Sequence, residues 1–274
     1  MNRLCEQASG LFIYARTATG FIRDELHDRG TQSIGSIFQL LNSEPLPTID
    51  KLYLTILGQA YDPSRTETMD YEVFRRVVGA IIVLRAPLNR KHLKELLDIR
   101  VQRKGVEEVP DFASLFGRLR SILIPGASAN NNDTIPRIHK SFIDFITSKT
   151  RCVGPWHVDT SVIHRYVAVA CLRFMKGGLR FNICGLESSY LRNADIQDLA
   201  LRIETAIPAP LSYACRFWVD HLQAASFDIE ILDDVRGFLH DRFLYWLEVL
   251  SLINETSYAS SALLSVARWI GVSF

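Results

Sequence analysis

The sequence predicts a mainly α protein: a winged-helix unit with a small β-hairpin, followed by an all-helical bundle or short α-solenoid. Three observations lead there. Apolar residues recur at i, i+3, i+4 and i+7 along most of the chain. Two short extended runs, Ile122-Leu123-Ile124 and Thr134 to Ile138, flank an Asn/Gly-rich loop and read as a hairpin. From about residue 160 the pattern is helical throughout, punctuated by Gly177-Gly178 and by Pro208 and Pro210. The expected boundaries are 1–62 for a helical segment and connector, 63–150 for the winged helix and 151–274 for the helical domain.

The elements follow in order. Leu4, Ala8, Leu11, Phe12, Ala15, Ile22 and Leu26 share a helical face, and Gly30 is placed to stop it. Ile34, Ile37, Phe38 and Leu41 make a short second helix that ends before Pro45 and Pro47. Thr48 can cap a third, with Ile49, Leu52, Tyr53, Ile56 and Leu57 inward. The winged-helix unit begins with a stripe of Tyr71, Phe74, Val78 and Ile81, closed by Pro87. Asn89 caps a helix bearing Leu93, Leu96 and Leu97. A helix after Pro110 buries Phe112, Leu115, Phe116 and Leu119. The hairpin follows, its loop running from Pro125 to Asp133, with Pro136 suited to an edge strand. Ile138-His139-Lys140-Ser141-Phe142-Ile143-Asp144-Phe145 then opens a helix with Phe142, Phe145 and Ile146 inside. This places His139 at a strand-to-helix corner, where it can meet something outside its own domain.

Later helices are expected from Val162, Tyr166, Val169 and Ala170 to the Gly177-Gly178 stop, and around Ile196, Leu199 and Ile203. Another covers Leu211 to Ala224. A long one runs to about Ile253 with Leu239, Phe243, Trp246, Leu247 and Leu250 inward. The last carries Leu263, Val266, Ala267 and Ile270. No fixed-period repeat accompanies them.

Composition narrows the function classes. Hydrophobic residues are 48% and charged residues 22% of 274, enough for a sizeable core. A net charge of +1 argues against a broad basic footprint for nucleic acid. Glu6 and Arg16 interrupt any secretory apolar stretch, and Val77 to Leu84 falls far short of the roughly 20 residues that cross a bilayer. Five cysteines without a C-x-x-C pair read as free, mostly buried thiols in the reducing cytoplasm.

Taken together, these residues resemble the NACHT-type signal-transduction NTPases of the STAND class, in particular the NLR-like NACHT–WD-repeat proteins of basidiomycete fungi. Ala8 to Ala15 with Thr17-Ala18 resembles the helix closing the NACHT nucleotide domain. Ile49-Asp50-Lys51-Leu52-Tyr53 with Ile56-Leu57 resembles the family's next helix. Val78 to Ile81 and Ala86-Pro87-Leu88 resemble the winged-helix entry, and Ile138 to Phe145 its His-x-Ser-Phe-x-Asp-Phe segment. Tyr213 to Trp218 with Asp220-His221-Leu222, and Phe243 to Leu252, resemble the post-NACHT helical region. The resemblance makes residues 1–62 a remnant of the NACHT C-terminal end. It also implies that His139 descends from a contact to the β-phosphate of bound ADP, for which an imidazole N–H is a suitable donor.

The departures matter equally. No G-x-x-x-x-G-K-[ST] occurs, so the amide cradle and its lysine are missing, and ATP or ADP is expected only if an upstream NACHT domain is supplied. No WD repeats follow Trp269. The chain thus resembles a middle piece of such a protein: non-enzymatic, acting through protein partners, related full-length NACHT proteins among them, without a membrane role. Ile231-Leu232-Asp233-Asp234 imitates a Walker B ending but sits in a helical context.

Other chemistries find weaker footing. Cys152, His157, His164 and Cys171 lack the close ligand pairs of structural zinc sites, so no metal is expected. No G-x-S-x-G or recognisable Cys/His pair supports a catalytic nucleophile. The alternative reading is a DNA-binding winged-helix regulator using Arg118 and Arg120. Against it, Glu107, Glu108 and Asp111 stand where its reading helix would approach phosphates. Arg90, Lys91 and Lys94 read as a solvated basic face, and Phe243, Trp246 and Leu247, beside Tyr245, as a packing stripe.

Overall fold

The computed structural model describes residues 12–29, 49–61, 68–103, 106–124, 135–188 and 190–271. The protein is mainly α, as expected, with two small antiparallel strand pairs among the described residues. The expected helix over Ile34 to Leu41, the residues before Phe12, Thr48 and the loop from Pro125 to Asp133 lie outside the described residues. Contacts gather the chain into two compact units: residues 1–82 with 101–158, and residues 83–100 with 159–274. This grouping differs from the sequence boundaries, because the segment 83–100 joins the later helices.

In the first unit, α1 (Phe12–Arg29) packs on α2 (Ile49–Ala60). The face of α1 is rotated from the expected one. Tyr14, Thr17, Ala18 and Phe21 are buried, while Ala15, Ile22 and Leu26 are half-buried. Burying the two aromatic rings removes more apolar area than the aliphatic stripe would. In α2 the expected Leu52, Tyr53, Ile56 and Leu57 are all buried. Helix α3 (Thr68–Val83) buries Tyr71, Phe74, Val77 and Val78, with Tyr61 edge-on to Phe74 at 5.3 Å.

Strands β1 (Val101–Arg103) and β2 (Val106–Glu108) form a hairpin that the sequence did not announce. All three residues of β2 are exposed, so no alternating apolar pattern marks it. The turn signal Lys104-Gly105 was the available clue. After α4, described with the second unit (Arg90–Leu97), helix α5 (Phe112–Arg118) is capped by Asp111, whose carboxylate accepts the Ala113 and Ser114 amides. The expected hairpin is present as β3 (Leu123–Ile124) and β4 (Arg137–Ile138). Helix α6 (Lys140–Ile146) follows directly and buries Phe142, Phe145 and Ile146.

In the second unit, Asn89 caps α4 through the His92 amide at 2.7 Å, and Leu93, Leu96 and Leu97 are buried. Helix α7 (Thr160–Gly178) supplies donors to the far end of α4: Tyr166 Oη reaches the Leu97 carbonyl at 2.8 Å, and Arg173 reaches it at 3.0 Å. The Leu97 carbonyl would otherwise be orphaned at the helix terminus, and these two bonds tie α4 to the later helices. On α7 the expected Ala170 is buried, but the apolar face is centred on Ile163, Val167, Cys171 and Met175, leaving Val162 60% exposed.

Helix α8 (Leu199–Ala206) buries none of its residues and is tied down by Arg202, which donates to the Gly185 carbonyl at 2.9 Å. Helix α9 (Ala209–Ala224) is the centre of this unit, packing on α4, α7, α11 (Phe243–Leu252) and α12 (Thr256–Ile270). Gly178 allows that approach, since a Cβ there would meet Leu211 Cδ1 at 3.1 Å. The expected long helix to Ile253 is two, α10 (Ile229–Asp241) and α11, broken at Arg242. The break lets Phe238 and Trp246 both pack on Trp218, at ring separations of 5.0 and 6.1 Å. On α12 the buried residues are Ala262 and Val266 rather than the broader stripe expected.

Candidate functional sites

His139, Ser141 and Tyr53 form a small polar cluster in the first unit. His139 is the N-cap of α6: its backbone is extended, and its ring accepts the Ser141 amide. The Ser141 N–H can only donate, so Nδ1, 3.2 Å away, is an acceptor and the neutral ring carries its proton on Nε2. Ser141 Oγ lies 2.8 Å from the same Nδ1 and 2.8 Å from Tyr53 Oη. One pattern satisfies all three groups: Tyr53 donates to Ser141, Ser141 donates to His139, and His139 keeps an Nε2–H. The Tyr53 ring is held edge-on to Phe142 at 5.0 Å and beside Phe145 at 5.3 Å. Burial pushes the Tyr53 phenol above its usual range. Asp50 and Arg151 lie near it, joined by a two-pronged ion pair with contacts of 2.6 and 2.9 Å. That pairing holds the Arg151 guanidinium still more firmly protonated.

Two segments chosen from sequence, Ile49 to Leu57 and Ile138 to Phe145, therefore meet through Tyr53. The contact itself was not legible, because Tyr53 reads only as one more apolar-face residue.

A second cluster lies in the second unit and was missed. His221 is fully buried on α9; its Nε2 lies 2.7 Å from Tyr213 Oη, and its Nδ1 lies 2.9 Å from His164 Nδ1 on α7. Tyr213 Oη also accepts the Arg85 amide at 3.2 Å. Burial holds the His221 imidazole down to about 3, with His164 and Arg85 acting in the same direction. Burial lowers His164 too, aided by Arg85. Tyr213 and His221 recur at i and i+8 on one helix, which was the available signal.

The other candidates separate. Cys152 and His157 fall in the first unit, His164 and Cys171 in the second. His157 Nε2 faces the Thr147 carbonyl at 3.3 Å. Among the described residues no cluster of three or more His, Cys, Asp or Glu is arranged for a metal. Cys152, Cys171, Cys184 and Cys215 are free and buried, and burial raises all four thiols, Cys152 to about 11. Arg118 lies over the Tyr61 ring at 5.5 Å, and Arg120 pairs with Asp24 at 2.9 Å. Asp233 and Asp234 are exposed on α10, in a helix and not at a strand end. Trp246 is buried, Phe243, Tyr245 and Leu247 are half-buried, and Leu244 is the exposed member of that helix at 71%. No described helix is long and apolar enough to cross a membrane.

Comparison with protein-family models, with curated proteins and with solved structures finds no match for this chain.

Proposed function

We propose that this chain is a non-catalytic regulatory and protein-interaction module derived from a NACHT-type signalling NTPase and working in the cytoplasm. The observation that carries the reading is the tautomer of His139. The cap to Ser141 engages Nδ1 and leaves Nε2–H as a donor, which is what a contact to a nucleotide phosphate on another domain requires. The sequence supplies no amide cradle for that phosphate, so the role belongs to a lever and not to a pocket. Such a lever acts by favouring one of two domain arrangements. Protein partners, related full-length NACHT proteins among them, are the fitting ligands.

The DNA-binding alternative is less well supported. Its two arginines are engaged on Tyr61 and Asp24, and Asp111 is committed to capping α5. Calorimetry with ADP and with magnesium-ATP tests the main reading. Heat at the level of dilution is expected for this chain alone. Tight, magnesium-dependent binding, or hydrolysis lost in His139→Ala, would refute it. Duplex binding that falls steeply with salt and disappears on reversing Arg118 and Arg120 would favour the alternative.

A further inference from the structure

We propose that His164 and His221 form a one-proton clasp that makes the pairing of α7 with α9 open in acid. The inference does not depend on the family reading above.

The proton positions follow from the partners. The Arg85 N–H donates to Tyr213 Oη, and among the described residues the acceptor within reach of the phenol proton is His221 Nε2 at 2.7 Å, so the phenol donates there. Neutral His221 then carries its hydrogen on Nδ1 and donates it to His164 Nδ1 at 2.9 Å. Neutral His164 carries its hydrogen on Nε2. Each hydrogen bond in this chain has one donor and one acceptor, and the link between the rings holds a single proton.

A second proton has no place at that link. Added to His164 Nδ1, it would set N–H against N–H across 2.9 Å. Added to His221 Nε2, it would displace the tyrosine hydroxyl around a ring with no exposed surface. The charged and titratable surroundings do not compensate. Arg85 adds positive charge beside both rings. Cys171 of α7 and Asp220 of α9 act on Tyr213, and Asp220 accepts the Tyr258 hydroxyl of α12 at 3.2 Å. Among the described residues, α4, α10 and α11 bring no charged side chain to bear on the histidines. Among the described residues no carboxylate bears on either imidazole.

Helices α7 and α9 form the most extensive helix pair among the described elements, so the clasp joins the two largest parts of this unit's core. His164 is half-buried, so solvent reaches part of its ring. The opposition of N–H against N–H at 2.9 Å is relieved only when the rings, carried by α7 and α9, move apart. Acid therefore favours the open pair, with about a tenfold rise in opening per pH unit for each histidine that takes up a proton on opening.

Amide hydrogen exchange of the whole chain between pH 7.5 and 5, expressed as protection factors, is the test. Protection in α7 and α9 should fall together in the native chain. In His164→Asn, whose Oδ1 replaces the Nδ1 acceptor without titrating, only His221 takes up a proton on opening, so the fall per pH unit should be shallower than in the native chain. Equal falls in both proteins, or no fall, would overturn the proposal. If the asparagine variant does not fold, nitrogen-15 histidine spectra of the native chain decide. His164 Nδ1 should be unprotonated at neutral pH and gain its proton as protection is lost. A protonated Nδ1 at neutral pH, or titration with protection unchanged, would overturn it.

Discussion

Three histidines show how position sets the work of one side chain. His139 spends Nδ1 on a helix cap and keeps a donor; His221 uses both nitrogens inside the protein; His164 accepts from it at the edge of the same core. The Tyr53 hydroxyl is the buried end of the first arrangement. Tyr53→Phe keeps the ring contacts with Phe142 and Phe145 but removes the bond to Ser141, and should cost about 1 kcal/mol in denaturant unfolding. The His139 tautomer should survive it, since the Ser141 amide remains. The thiols offer a second check. Cys152, Cys171, Cys184 and Cys215 are buried and held in the protonated form, so alkylation resolved by mass spectrometry should reach them only after unfolding. At this scale the sequence marked His139 because aromatic residues surround it. His221 was singled out only within a resembling segment, and its pairing went unmarked because the partner lies 57 positions away.

Among the elements, caps and stops were the most legible features. Asn89 caps α4 as expected and α7 ends at Gly178 within the expected glycine pair, whereas Asp111, read only as a carboxylate opposing phosphate, proves to be the cap of α5. Asp159 performs the same service for α7, accepting the Ser161 amide at 3.0 Å. Asp159→Ala should lower stability by about 1 kcal/mol, read from the shift in urea midpoint at unchanged slope. Helix faces were less legible than helix ends. The stripe of α1 is rotated by about one residue, and that of α7 keeps Ala170 but is centred on Ile163, Val167, Cys171 and Met175. The division of α10 from α11 was invisible for a related reason. Arg242 is an ordinary helix former, and only the packing of Phe238 and Trp246 around Trp218 calls for a break there.

For the molecule as a whole, acid stability should be set largely by the second unit. His221 is held at about 3 in the folded state against about 6.5 unfolded, so the unfolded chain binds the extra proton. The stabilising contribution is complete above about pH 6.5 and is lost as pH falls towards 3. A loss of a few kcal/mol is expected over that range. In Trp156→Phe, the remaining tryptophans Trp218, Trp246 and Trp269 all report on the second unit. Their emission should shift red at lower denaturant as the pH is reduced, and His221→Asn, if folded, should flatten that dependence.

The amino-acid sequence by itself determined that the chain is mainly helical, where most helices begin and end, and that His139 stands at a corner. Those are local matters, decided by apolar periodicity, capping side chains and helix-breaking residues within a few positions of one another. Only the tertiary structure decided that α4 keeps company with the later helices, that Tyr53 supports His139 through Ser141, and that two distant histidines share a proton. Each of these depends on hydrogen-bonding groups far apart in sequence finding one another as the core closes, and a one-dimensional pattern does not encode that geometry.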